Sequence, residues 1–163
     1  MINRFASRRQ TLGFFGIGVS ALVLAACGAP ATAASYKVSF TEDQWRKRLT
    51  PEQYQILRKE GTERPYTSPL NKEKRTGTYA CAGCDNALFA SKTKFESGTG
   101  WPSFYAPLAG GVGTSRDFKI GYPRTEVHCA DCGGHLGHVF EDGPKPTGLR
   151  YCMNGAAMKF RPA

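Results

Sequence analysis

The chain has 163 residues, 40% hydrophobic and 21% charged, which is enough for one domain with a real core and too apolar for a disordered tail. Its 19 glycines and 10 prolines argue against an all-helical bundle and favour short strands joined by tight turns. No apolar run reaches the ~18 residues of a membrane-spanning helix, so an integral membrane protein is not expected, and the formal charge of +9 does not by itself select nucleic acid as a partner.

The first 35 residues read as an export signal and a short linker. Arg4, Arg8 and Arg9 precede a mildly apolar stretch from Leu12 to Ala26, and small residues follow. Taking those three charges from +9 leaves +6 for the rest, a value that fits a soluble domain and an affinity for anionic surfaces equally well. Ser7-Arg8-Arg9-Gln10-Thr11-Leu12 resembles a twin-arginine signal, with Thr11 and Gly13 departing from its usual residues, and an ordinary secretory signal is the alternative. Leu24-Ala25-Ala26-Cys27 has the form of a lipobox, which would put a lipid anchor on Cys27, while Ala31-Thr32-Ala33 offers a competing cleavage site. Either route places the mature protein outside the cytoplasmic membrane, in the periplasm or anchored at a membrane's outer side, with the twin-arginine export machinery as a partner. The folded domain then spans 36–163.

Two short helices open that domain. Thr41 caps the first, Gln44 closes a capping box and Phe40 can staple to Trp45. Thr50-Pro51-Glu52-Gln53-Tyr54 repeats the pattern with Pro at the first helical position and Leu49 opposite Tyr54. Gly61 is placed to end the second helix in the left-handed conformation. Beyond Thr78 come short β-prone runs at 78–80, 87–90, 118–122, 125–130, 136–140, 149–153 and 157–161. They predict a mainly β, antiparallel domain with peripheral N-terminal helices.

Four cysteines form two C-x-x-C pairs, Cys81/Cys84 and Cys129/Cys132, the second followed by Gly133 and Gly134. Four thiolates at about 2.3 Å complete a closed tetrahedral shell around Zn²⁺, so one structural zinc is expected. Redox disulfides, structural disulfides, or replacement of two sulfurs by His135 and His138 are the competing arrangements.

Cys152 is left over, in Arg150-Tyr151-Cys152-Met153-Asn154. Together with Thr78-Tyr79-Ala80-Cys81, Ser97-Gly98-Thr99-Gly100-Trp101-Pro102-Ser103-Phe104, Glu126-Val127-His128-Cys129 and Gly134-His135-Leu136-Gly137-His138-Val139-Phe140, this stretch resembles the B-type methionine sulfoxide reductases, which reduce the R epimer. The resemblance covers about residues 40–161. It implies a β-tent-like fold of two antiparallel sheets, a zinc on the C-x-x-C pairs and thiol chemistry without an organic cofactor.

The residue types suit that chemistry. A sulfoxide sulfur becomes electrophilic once its oxygen is protonated, so reduction needs a thiol nucleophile and a proton donor. Cys152 supplies the first, and His135 or His138 can supply the second if the strand carrying both bends between them. Two histidines packed against Phe140 are the plainer account of that spacing. Arg150 offers Cys152 positive surroundings. Trp101 fits the wall of an apolar pocket for the S-methyl group, though Pro102 could equally fix it as a core residue, and Phe140 joins it in the substrate-binding set. By resemblance Asn154 belongs to the active site and Asp142 stands near the proton-donating histidine; on spacing alone Asp142 is a turn residue before Gly143.

Many family members carry a recycling cysteine where this chain has Thr99, so Cys152 has no evident partner here. The expected cycle leaves Cys152 as a sulfenic acid that an external thioredoxin-like or small-thiol reductant clears. Expected substrates are oxidised proteins or free methionine-R-sulfoxide. No nucleic acid partner is expected, and membrane contact comes only through an anchor at Cys27. The chief rival is a non-catalytic exported zinc-ribbon module; a disulfide oxidoreductase using its C-x-x-C pairs is the second.

Overall fold

The computed structural model describes residues 35–163. The export signal, the lipobox at Cys27 and the cleavage site at Ala31-Thr32-Ala33 lie outside the described residues.

Helices α1 (Glu42–Arg48) and α2 (Pro51–Lys59) both begin with complete capping boxes, Thr41 with Gln44 and Thr50 with Gln53. Each cap satisfies otherwise orphaned N–H groups and contributes about 1 kcal/mol. The Phe40 and Trp45 rings meet edge to face at 4.9 Å, which fixes how the chain enters α1. Leu49 and Tyr54 are both buried. The end of α2 differs from expectation: Glu60, not Gly61, adopts the left-handed conformation. Gly61 is used for close approach, because its N–H donates to the Gln55 carbonyl and an added Cβ would lie 3.0 Å from that oxygen.

Nine strands follow in two antiparallel sheets. β1 (Gly77–Cys81), β2 (Ala87–Ala90) and β9 (Met158–Pro162) form the smaller, in the order β2-β1-β9. β3 (Lys94–Phe95), β4 (Ser103–Phe104), β5 (Val112–Asp117), β6 (Arg124–Cys129), β7 (His135–Phe140) and β8 (Arg150–Met153) form the larger, in the order β3-β4-β8-β7-β6-β5. The expected strand at 118–122 is instead the loop joining β5 to β6. Phe118, Ile120 and Tyr122 alternate like a half-buried strand, yet all are exposed, and Gly121 (φ 87°) donates its N–H to the Phe118 carbonyl to close a turn. The true strand is the polar segment before it, an edge strand with three exposed residues and no apolar face to betray it. The two-residue strands β3 and β4 were not expected from the sequence either.

The core lies between the sheets. Phe104 of the larger sheet stacks on Phe89 of the smaller at 4.3 Å and meets Tyr79 edge to face at 4.9 Å. Because strand side chains alternate, Tyr151, Val127 and Met153 belong to this inner face. Their immediate neighbours Cys152 and Glu126 must therefore occupy the opposite face.

Candidate active site and metal centre

The opposite face of the large sheet carries one line of paired residues running across five strands. Ser103 on β4 pairs with Cys152 on β8, Cys152 with His138 on β7, His138 with Glu126 on β6, and Glu126 with Ser115 on β5. Directly paired residues have Cβ atoms about 4.5–5.5 Å apart, so the register alone sets the thiol beside the imidazole. Two positions along, Arg150 pairs with Phe140 and Arg124 with Asp117 on the same face.

A break in β7 brings in the second histidine. His135 and His138 would face opposite ways in a regular strand. The pairing slips by one residue between Val127 and His128, leaving Leu136 as the extra residue of a bulge. Both rings then lie on one face, 5.4 Å apart and edge to face. Gly137 permits the bend, because a Cβ there would sit 2.1 Å from the Cys152 carbonyl oxygen.

Each imidazole is tied to its own carboxylate. His135 Nδ1 lies 2.7 Å from Glu126 Oε1, and His138 Nε2 lies 2.8 Å from Asp117 Oδ2. The hydrogen bond with His135 holds the Glu126 carboxyl down at about 2, with the Ser115 hydroxyl adding a second donor. Asp117 is held well below the usual carboxylate range by the Lys119 backbone N–H, then by His138 and Arg124. Burial pulls His138 below its ordinary value, while Asp117 pushes in the opposite direction.

An open pocket of about 130 Å³ is lined by Thr62, Trp101, Arg124, Gly137, His138, Phe140, Cys152 and Asn154. That is room for roughly four waters, the scale of a small side-chain head. Glu63 braces the wall. Its carbonyl accepts from Trp101 Nε1 (3.1 Å), its N–H donates to Asn154 Oδ1 (3.0 Å), and its buried carboxylate accepts from the Gly155 and Ala156 N–H groups at 2.6 and 2.8 Å. Burial raises that carboxyl's pKa, with the two backbone donors opposing. Asn154 also donates from Nδ2 to the Leu136 carbonyl (3.1 Å), fastening it to the bulge.

Most of the residues expected at the site therefore meet here: Cys152, His138, Trp101, Phe140 and Asn154 line the pocket, and His135 stands behind His138. Arg150 lies over the Phe140 ring at 4.4 Å. Asp142 is exposed and makes a two-pronged ion pair with Arg150 at 2.9 and 2.8 Å. The carboxylates bonded to the two histidines are Glu126 and Asp117 instead. Sequence reasoning missed Thr62, Glu63, Asp117, Arg124 and the bracing role of Glu126. Only Glu126 left a trace: a charged residue inside a strand whose alternate positions go to the core.

Thr99 stands beside Cys152, its Oγ1 3.7 Å from Sγ. Its hydroxyl continues a chain through Ser97 (2.8 Å) to Ser103 (2.7 Å).

The other four cysteines among the described residues converge elsewhere. Cys81 and Cys84 come from the β1–β2 turn and Cys129 and Cys132 from the β6–β7 turn, with all four sulfurs within 4.8 Å of one another. The Cys81–Cys132 and Cys84–Cys129 separations are 3.8 and 3.5 Å, far beyond a disulfide's ~2.05 Å. A tetrahedral metal with ~2.3 Å bonds requires sulfurs about 3.8 Å apart, so the donor set fits. The Asn86 side chain donates to Cys129 Sγ and the Gly83 N–H to Cys81 Sγ, as outer partners of metal-bound thiolates do. Helix α2 closes over the cluster: Leu57 packs on Gly134, and Arg58 donates to the Cys132 carbonyl at 3.0 Å while lying over the Trp45 ring. The histidines are not part of this cluster.

The SelR domain family model matches residues 49–162. Among curated proteins, the chain is 56% identical over 128 residues to the peptide methionine sulfoxide reductase MsrB of Leptospira interrogans, covering 78% of this chain and 98% of that protein. It is 57% identical over 129 residues to the MsrB of Agrobacterium fabrum, covering 78% and 96%. The chloroplastic peptide methionine sulfoxide reductase B1 of Arabidopsis thaliana is 57% identical over 122 residues, covering 74% of this chain and 60% of that protein.

Proposed function

The chain belongs to the SelR-domain family, the peptide methionine (R)-S-oxide reductases, and from that membership we propose how this pocket carries the reaction. The S-methyl group of an oxidised methionine sits against Trp101 and Phe140, with its sulfur facing Cys152. The Cys152 thiolate attacks sulfur while His138 delivers a proton to the sulfoxide oxygen. The new S–S bond displaces the oxygen as hydroxide; hydroxide then attacks Cys152 Sγ, that S–S bond breaks, methionine leaves as the sulfide, and Cys152 is left as a sulfenic acid, two electrons having passed from Cys152 to the substrate. His135, tied to Glu126, acts as a positioning residue behind His138. Asn154 and Glu63 hold Trp101 and the bulge in place.

Recycling falls to an external thiol. It attacks the sulfenic acid, water leaves and a mixed disulfide forms; a second thiol releases Cys152. Thr99 beside Cys152 supports this assignment, since it occupies the place from which a resolving thiol would act. Free and protein-bound methionine-R-sulfoxide are the proposed substrates, the latter on exported proteins. The four clustered cysteines hold one zinc, which lends the domain stability and takes no part in the chemistry. The leader and its machinery, and any anchor at Cys27, rest on the sequence pattern alone.

One observation carries the reading: the direct cross-strand pairing of Cys152 with His138 inside a pocket walled by Trp101 and Phe140. The test is incubation with each epimer of methionine sulfoxide and dithiothreitol. The R epimer alone is consumed, and Cys152→Ser abolishes turnover with the melting temperature unchanged. Consumption of neither epimer, or substantial turnover by Cys152→Ser, overturns it.

A further inference from the structure

The β5–β6 loop exposes three large apolar side chains at alternate positions: Phe118 (60% exposed), Ile120 (50%) and Tyr122 (58%). With Tyr66 they are the large hydrophobics most exposed among the described residues, and these three fall within five consecutive positions of one loop. Isolated exposed apolar residues need no explanation, whereas a cluster of them marks a contact surface.

The ends of this loop belong to the active site. Asp117, its first anchor, faces His138, and Arg124, its last, lines the pocket. The loop is also shaped by the site: Asp117 Oδ1 accepts from the Lys119 N–H at 2.8 Å while Oδ2 faces His138 and Arg124. One carboxylate thus holds both the crest and the imidazole. The crest is tethered at both ends to residues of the site, Asp117 on His138 and Arg124 in the pocket wall.

We propose that Phe118, Ile120 and Tyr122 form a docking crest for the polypeptide that carries the oxidised methionine, gripping apolar side chains near it in the chain. The inference rests on the reductase reading of the pocket. A span argument sets the spacing. β6 and β5 lie two and three strands from Cys152, about 10–14 Å across the sheet at ~4.8 Å per strand, and Phe118 lies three positions beyond Ser115, about 10 Å along it. The diagonal, about 14–17 Å, is covered by about four or five residues of extended peptide. The crest therefore reads positions four or five removed from the oxidised methionine and ignores the free amino acid.

The test uses the purified protein and two unstructured peptides with a single central methionine-R-sulfoxide. One has Phe and Leu four and five residues away; the other has Ser at both positions. Wild type is expected to favour the apolar peptide by roughly tenfold in kcat/KM, through KM. Phe118→Ser/Ile120→Ser/Tyr122→Ser is expected to erase that preference and leave free methionine-R-sulfoxide turnover unchanged, with its melting temperature confirming the fold. Wild type that reduces both peptides equally overturns the proposal alone. So does a triple variant that keeps the preference, loses free-substrate turnover in proportion, is slowed only with a thioredoxin-like reductant, or merely shifts from dimer to monomer on size-exclusion. Wild type inactive on every substrate overturns the reductase reading, and the crest with it.

Discussion

Asp117 holds three partners at once, the Lys119 N–H, His138 Nε2 and the Arg124 guanidinium, and so makes His138 testable as the proton donor. Burial lowers the pKa of His138 and Asp117 opposes it. A histidine acid works below its own pKa, so kcat/KM should fall as pH rises through that value. Asp117→Asn removes the opposing charge, and the fall should then move to lower pH. A pH–rate profile whose alkaline limb stays in place would mean that another group donates the proton. Thr99 gives a second residue-scale prediction. Wild type after one turnover without reductant should leave Cys152 trappable by dimedone, whereas Thr99→Cys should form a disulfide to it, the side chains already lying 3.7 Å apart. Mass spectrometry distinguishes them, and a wild-type internal disulfide from Cys152 would refute the external-thiol scheme. Cys152 and the histidines stood out as candidates because thiol and imidazole side chains are few and reactive, whereas Trp101, which Pro102 could equally have fixed in the core, was placed at the pocket by resemblance. Asp117, Glu63 and Arg124 were not, because their meaning arises only when strands distant in sequence are laid side by side.

At the scale of the element, the bulge in β7 does most to build the site, and Gly137 is its hinge. A Cβ at Gly137 would meet the Cys152 carbonyl oxygen at 2.1 Å and the Met153 Cα at 3.0 Å, both backbone atoms that cannot step aside without parting β7 from β8. Gly137→Ala should therefore cost about 3 kcal/mol or more and lower kcat by at least tenfold in the protein that still folds. Denaturant melts and single-turnover rates read the two losses; a variant of normal stability and rate would show that the strand pairing is looser than drawn. Both helices could be read from sequence because capping boxes are local grammar. The strand at Val112–Asp117 could not, since an exposed edge strand carries no alternating apolar face, while the loop after it alternates without pairing. Periodicity reports burial on one side, and here the loop mimicked it.

Across the whole molecule, the four-cysteine cluster joins the turn of the small sheet to a turn of the large one, and both helices lean on it. Structural zinc binding supplies roughly 10–16 kcal/mol, as much as a domain's entire net stability of ~5–15 kcal/mol. Removing the metal with a strong chelator, or introducing Cys132→Ser, should therefore unfold the domain at ambient temperature and not merely lower its melting point by a few degrees. One zinc per chain by elemental analysis and loss of the thermal transition on chelation are the expected results. Metal-free protein with an unchanged transition would refute the zinc. The cluster was foreseeable because each pair of ligands is close in sequence. That its two halves come from different sheets was not, since nothing in the spacing says which sheet each turn belongs to.

The chain contains two tryptophans, and each stands at a different one of these centres. Trp45 packs within 3.3 Å of where a Cβ on Gly83 would lie, inside the first C-x-x-C turn, and beneath Arg58. Trp101 lines the pocket and is pinned through its indole N–H to Glu63. Intrinsic fluorescence is therefore a two-channel signal. In Trp45→Phe the remaining emission follows what enters beside Cys152, and in Trp101→Phe it follows the cysteine cluster. Titrating a sulfoxide against one variant and a chelator against the other would measure how far the two centres sense each other, with no label added to the protein.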